Sequence, residues 1–499
     1  MYLSIKFVIF DNSERIRNML EQLEPKSVWQ YFEALNAVPR ASKKEDQVIG
    51  FMLGFGDRLG LETLQDSAGN VIIRKEATAG MENAPAVVLQ AHLDMVHQKN
   101  NDTIFDFDTQ GISMFIENDW VKAQGTTLGA DNGIGVAAIM AVLASDTIVH
   151  PAIEALFTID EETGMTGAKG LQPNLLKGKV LLNLDTENDS EIDIGCAGGI
   201  DITARRSYIP EACPKDMAGC RLIVTGLRGG HSGMEIHKGL GNANKIMNRL
   251  LYSLLPLDIR LSRIDGGGLR NAIPRESTAF FAIEESTIDL LLSVVAQESA
   301  AIKQEFAARD EDLKIILERC ELRAEEVLPI GVQLKLLQTL YAAHNGVYRM
   351  SADFDNLVET SNNIARVKVG GGKIIVKCLT RSSVESSKVD LTNALKSCFE
   401  LMDAEVSVSG DYPGWTPNPN SEILGVLKST YRDLFGQDPQ VVACHAGLEC
   451  GLIGNHYPEM DMISFGPTIL GAHSPQERVS ISSVQKFWRF LVAILKQIR

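Results

Sequence analysis

Two imidazoles and several carboxylates, each placed where an apolar run ends, are the groups of this chain best suited to chemistry. His92 and Asp94 close the run APAVVLQAHLDMV. Residues two apart on a strand share a face, so Asp94 can reach the His92 ring, fix its tautomer and leave the other nitrogen for a metal. Taken alone, the same spacing describes many structural histidines. Asp131 lies in Thr127-Leu128-Gly129-Ala130-Asp131-Asn132-Gly133-Ile134-Gly135, ahead of an apolar helical stretch, and its plain alternative is a helix N-cap. A dinucleotide loop is excluded there, because the GxGxxG spacing is missing and a carboxylate would repel a pyrophosphate at the helix start. Asp160-Glu161-Glu162 ends IEALFTI, Asp185 ends VLLNLD, and His473 follows MDMISF. Adjacent acids usually mark a solvated turn, but beside a divalent cation their oxygens become ligands.

His92, Asp131, Glu162, Asp185 and His473 together supply two imidazoles and three carboxylates. That stock suits two metal ions, each with one His and one carboxylate of its own, the remaining carboxylate being shared. Ions ~3.5–4 Å apart can lower the pKa of a common water toward neutrality and polarise a carbonyl. Glu161, next to a ligand and not required as one, is suited to carry the proton.

The elements that must position these groups are legible as strand, glycine loop and helix in alternation. NVIIRKEA, APAVVLQAHLDMV, IEALFTID and KVLLNLD read as strands, and GIGVAAIMAVLA reads as a buried helix. This is an α/β layered pattern with polar groups at strand ends. After Ala197-Gly198-Gly199 the style changes to half-exposed strands (DITARRSYI, CRLIVTGL, IRLSRIDGG, STAFFAIEE) and amphipathic helices, the pattern of a separate α+β domain. Apolar strands return with PQVVACHAGLECGLI and MDMISFG. We expect one α/β domain (residues 1–198 and 412–499) interrupted by an α+β insertion (residues 199–411), without internal repeats.

Composition narrows the classes. A chain of 499 residues exceeds the ~250–300 at which single cores stop growing. With 48 Lys plus Arg against 64 Asp plus Glu, the net charge of −16 argues against a nucleic-acid surface. No uncharged apolar run approaches the ~20 residues of a membrane span. The eight cysteines form no Cys-x-x-Cys pair and read as small hydrophobes in a reducing compartment. MYLSIKFVIFDNSERIR lacks a basic leader and a small-residue cleavage site, so it is not read as a signal peptide, and a cytoplasmic location is expected.

The segments LQAHLDMVHQKN, TTLGADNGIG, DEETGMTGAKGL, LNLDTE, CAGGID, GLRGGHSGMEIHKGLGNAN, GGGLRNAIPRE, HAGLECGL and FGPTILGAHSPQERV resemble those of the aminoacyl-histidine dipeptidases, enzymes that cleave carnosine-type Xaa-His dipeptides. These belong to the wider metallopeptidase family of di-zinc aminoacylases and carboxypeptidase G. The likeness runs from about Lys26 to Ile498. It implies a di-zinc exopeptidase-like α/β/α catalytic domain and an inserted lid and dimerisation domain. It further implies that His92 and Asp185 hold one zinc, Glu162 and His473 the other, and that Asp131 bridges them, with cobalt or manganese able to substitute. Asp94 would tune His92 and Glu161 would be the general base. The peptide bond after the bridging aspartate, Asp131–Asn132, would be cis.

Within the inserted domain the resemblance implies that His231 stabilises the developing oxyanion, in relatives often from a partner subunit. It makes Asn271, Arg381 and Gly447 substrate-binding, with Arg381 clamping the dipeptide carboxylate. Each has a plainer counterpart: a turn histidine, a strand-face ion pair, a loop glycine. The partners implied are a small dipeptide and a second copy of the chain through the lid; nucleic acid and membrane are not among them. His97, His150, His237, His344, His445 and His456 receive no metal role. Two other functions fit the residues: an aminoacylase or tripeptidase with the same centre, and a binding protein that keeps the scaffold without turnover.

Overall fold

A computed structural model describes residue 20 and residues 22–499, apart from 322–325 and 355. The N-terminal stretch read above as no signal peptide lies outside the described residues. The chain divides into two compact units: the chain up to Gly195 with Pro417–Ala443 and Leu452–Arg499, and Cys196–Thr416 with Cys444–Gly451.

In the first unit the apolar runs form an eight-stranded mixed sheet. Its order is Glu62–Gln65, Val71–Lys75, Ile153–Thr158, Val87–His92, Val180–Asn183, Asp461–Ser464, Glu191–Cys196, Gln440–Cys444. Val87–His92 pairs in parallel with Ile153–Thr158 and Val180–Asn183, and the latter in parallel with Asp461–Ser464. Every residue of Val87–His92 and Ile153–Thr158 is buried, which is why these strands read as largely apolar runs without alternation. Helix Ala130–Ala144 is buried almost all round and packs on helix Lys26–Asn36 and on strand Val87–His92. The parallel strands finish at one edge, where open α/β sheets place their sites, and the chain leaves that edge at His92, Asp160 and Asp185. A small antiparallel sheet supplies the remaining piece. Ile469–Leu470 pairs with Arg478–Ser480, which pairs with Trp120–Ala123, and His473 sits in the loop between the first two strands.

The second unit is a nine-stranded antiparallel sheet backed by helices. Its strand order resolves into two equivalent halves, each strand–helix–strand–strand–helix–strand. One half is Met217–Thr225, helix Ala243–Ser253, Arg260–Gly267, Ser277–Glu284, helix Ile288–Phe306 and Lys314–Arg319. The other is Gly198–Ser207, helix Ile330–Ala342, Val358–Gly370, Lys373–Ser382, helix Glu385–Glu400 and Glu405–Tyr412. The first half is threaded between the opening strand and opening helix of the second. They join where Arg260–Gly267 pairs antiparallel with Val358–Gly370, and helices Ala243–Ser253 and Ile330–Ala342 pack together. One continuous apolar cluster, including Leu222, Leu250, Phe281, Leu336, Val376 and Phe399, runs under both halves. The sequence shows no repeat, so this duplication appears only in the topology.

Of the eight cysteines, Cys196, Cys220, Cys378 and Cys450 are buried. No helix among the described residues is long and apolar enough to cross a membrane.

Candidate metal centre

His92 is the last residue of its strand and is buried. Its Nε2 lies 3.1 Å from Asp131 Oδ1 and 3.5 Å from Asp185 Oδ1. His473, exposed in its loop, places Nε2 3.3 Å from Asp131 Oδ2 and 2.9 Å from Glu162 Oε2. The two oxygens of Asp131 thus face two different groups of donors, His92 with Asp185 and His473 with Glu162. All five residues singled out as ligands come together here, and each group presents potential ligand atoms within 4.8 Å of one another. Glu162 Oε1 is buried and accepts no hydrogen bond. A buried bare carboxylate oxygen is costly unless a cation takes it up, so this orphan and the nitrogen-and-oxygen donor set both fit divalent metal ions.

Asp131 is not the helix cap of the plainer alternative. Asp131 and Asn132 depart from helical φ/ψ and are joined by a cis peptide bond, so regular helix resumes at Gly133. Asn132 donates through its side chain to Asp185. Nor are the loop amides open to a phosphate: Glu477 Oε2 accepts from the N–H groups of Leu128 and Gly129 at 2.7 and 2.9 Å, and Oε1 from Ala130 and Asp131 at 2.7 and 3.2 Å.

Asp94 orders the acidic turn as well as the imidazole. Its carboxylate is 3.4 Å from His92 Nδ1 and its main-chain oxygen 3.1 Å. It also accepts from Ser42 Oγ at 2.8 Å, Glu161 N at 3.0 Å and Glu162 N at 3.3 Å. Burial pushes the Asp94 carboxyl up, and these donors more than offset it, leaving it below its usual range. Asp160, the first acid of the turn, instead accepts from Lys43, Thr163 and Thr166. Glu161 offers a carboxylate oxygen within 4.8 Å of ligand atoms of His92 and Glu162.

Without metal the cluster is held by protons. Burial opposes charge on His92, but Asp185, Asp131 and Asp94 prevail and keep its pKa well above the imidazole range. His473 is pushed up to about 11 by its hydrogen bonds to Asp131 and Glu162. A raised folded pKa stabilises the metal-free fold fully below the ordinary imidazole range, and that stability is lost as pH climbs through about 11. Metal ions held by these two rings would have to displace both protons. We expect about two protons released per chain near neutral pH, and an apparent affinity that falls on acidification. Calorimetric titration in buffers of different ionisation enthalpy measures this; heats independent of the buffer would refute it.

The other four predicted residues lie in the second unit. His231 Nδ1 accepts from the N–H groups of Gly233 and Met234 at 3.3 and 3.1 Å, so the proton of the neutral ring sits on Nε2. The exposed Asn271 accepts through its main-chain oxygen from Ser232 N at 2.8 Å. Its loop is held by buried Asn363, which donates to Arg270 O and Ala272 O at 3.1 and 2.8 Å. Arg381 is buried, donates to Tyr412 Oη at 2.9 Å, and keeps its Nε without a hydrogen-bond partner. Gly447 lies just ahead of helix Glu449–His456. His445, given no metal role from sequence, is buried 2.8 Å from Ser361 Oγ, and burial followed by Arg381, His237 and His231 lowers its pKa to about 3, so the ring is neutral.

Residues 88–497 match the profile of Peptidase family M20/M25/M40. The chain is 44% identical to the cytosol non-specific dipeptidase of Escherichia coli (strain K12) over 480 residues, 96% of this chain and 99% of that protein. The crystal structure of aminoacylhistidine dipeptidase from Vibrio alginolyticus is similar at a TM-score of 0.90 and 43% identity, covering 96% of this chain and 98% of that one. A tripeptidase structure from Staphylococcus aureus subsp. aureus mu50 matches at a TM-score of 0.55 and 16% identity over 95% of this chain and 99% of that one, a likeness of fold alone.

Proposed function

The chain belongs to Peptidase family M20/M25/M40 and is a hydrolase of peptide bonds, and from that premise we propose that it is a di-metal dipeptidase acting on Xaa-His dipeptides of the carnosine type. The observation that carries the two-ion reading is the Asp131 carboxylate, whose oxygens face separate His–carboxylate pairs. The Xaa-His preference is supported by the similarity to aminoacylhistidine dipeptidase.

In this reading the first unit is catalytic and the inserted unit is a lid. His92 and Asp185 would hold one ion, Glu162 and His473 the other, and Asp131 would serve both. Two zinc ions, with cobalt or manganese as substitutes, supply Lewis acidity to a water and to the scissile carbonyl when bound. Asp94 keeps the His92 ring oriented by its hold on Nδ1. Glu161 removes a proton from the attacking water and returns it to the departing amine nitrogen. His231 donates from Nε2 to the carbonyl oxygen as it gains charge. Asn271 and Gly447 line the substrate, and the unpaired Nε of Arg381 leaves a guanidinium edge for the terminal carboxylate. We further propose a cytoplasmic homodimer pairing through the lid; sedimentation analysis would test that assembly.

Substrate choice and the Arg381 role are tested together. Carnosine-type dipeptides are expected to turn over faster than N-acetyl amino acids or tripeptides. Arg381→Met should raise KM for a dipeptide by about 10–100-fold, the worth of a charge-assisted hydrogen bond, and leave the corresponding dipeptide amide little changed. Faster cleavage of tripeptides would favour the tripeptidase reading, and equal losses on acid and amide would remove the clamp from Arg381.

A further inference from the structure

Two buried charged residues outside the ligand set converge on the segment that carries Asp131. Arg40 is 1% exposed and Glu477 2% exposed. The Arg40 guanidinium spans two ligand-bearing segments: Nη1 donates to Leu93 O and Asp94 O at 3.1 and 3.3 Å, just beyond His92, and Nη2 donates to Gly129 O at 2.5 Å. Nη2 also donates to Asn36 Oδ1 at 2.9 Å, and Asn36 Nδ2 donates onward to Leu128 O at 3.0 Å. A Cβ at Gly129 or Gly133 would fall against this guanidinium, so the loop is built around it. Glu477 lies four residues after His473 in the same loop and collects four successive N–H groups, Leu128 to Asp131. Arg40 therefore ties the His92 segment to the Asp131 segment, and Glu477 ties the Asp131 segment to the His473 segment.

We infer that Arg40 and Glu477 are positioning residues that fix how far Asp131 stands from the two imidazoles, and thereby the spacing of the two metal positions. The inference rests on the two-ion reading above. Both Glu477 oxygens are committed to backbone donors, so it is no further ligand. Glu477, Asp94, Asp131 and Glu162 face the Arg40 guanidinium and compensate only part of its burial, which lowers its pKa to about 10 and still leaves it charged near neutral pH. Its function is nevertheless geometric, because one planar fork reaches carbonyls on two segments at once. A lysine keeps the charge and cannot bridge them. At Glu477 a glutamine would turn an amide N–H₂ toward two of the four N–H donors.

The test is metal binding by the metal-free protein, with cobalt(II) followed by its visible ligand-field spectrum and zinc by calorimetry. The parent should take up two ions per chain. Arg40→Lys and Glu477→Gln should each weaken uptake by about 10–100-fold and alter the cobalt spectrum, with metal-free circular dichroism unchanged. Parent-like affinity and spectrum in Arg40→Lys would overturn the inference. If Glu477→Gln does not fold, Arg40→Lys decides alone; an unfolded Arg40→Lys also counts against the inference, since positioning leaves the metal-free fold standing. A parent that binds fewer than two ions removes the two-ion reading and this inference with it, and is recognisable because the parent itself is at fault.

Discussion

Glu161→Ala is expected to lower kcat on a dipeptide by about 10²–10⁴-fold while the protein keeps both metal ions, because it removes proton transfer and no ligand. The geometry separates Glu161 from its neighbour. Glu162 spends one oxygen on His473 and buries the other without a donor, whereas Glu161 enters only the group with His92 and Glu162. The turn is held from outside the pair, by Asp94 accepting both main-chain N–H groups and by Lys43 on Asp160, so removing one carboxylate leaves the backbone in place. Metal content by emission spectrometry alongside steady-state kinetics measures the split. Parent-rate turnover would take the base role from Glu161, and loss of metal would make it a ligand.

Asp131→Ala should have the opposite signature. Among the described residues Asp131 is the carboxylate in contact with both His92 and His473, so its loss strips a donor from each position. We expect metal content to fall well below two ions per chain. Turnover should fall on the order of 10³-fold or more, since bound ions contribute several kcal/mol of transition-state stabilisation. Asp131→Asn keeps the shape and one acceptor oxygen and should retain more metal than the alanine. Two tightly held ions in Asp131→Ala would end the bridging assignment.

The first unit was legible because its strands are buried on both faces: VVLQAH and IEALFT are mostly apolar, with Gln90, His92, Glu154 and Thr158 as buried exceptions, and the chain turns acidic just beyond their ends. Five candidate ligands could be named because His and carboxylates after apolar runs have few other reasons to recur, and the fold brings the five together. Arg40 and Glu477 were not legible. A buried arginine between Pro39 and Ala41 and a glutamate in Ser-Pro-Gln-Glu look like surface residues, and only the loop they hold reveals their use. The one available signal was that Glu477 follows His473 within a single turn. Strand Val358–Gly370 also escaped, because Thr360, Ser361, Asn362 and Asn363 are buried polar residues satisfied by a network that hydropathy does not register. The doubled layout of the second unit left no sequence repeat, since each half keeps only the alternation of buried and exposed positions that any such sheet requires.

The seam between those halves has a thermodynamic consequence. Had Arg260–Gly267 and Val358–Gly370 belonged to separate molecules, their union would be bimolecular and would dissolve on dilution. Here both strands ride on one polypeptide, so each meets its mate at a fixed effective concentration whatever the number of molecules in the cell. Two hydrogen-bonding edges that would otherwise solicit foreign strands are extinguished by the same covalent tether.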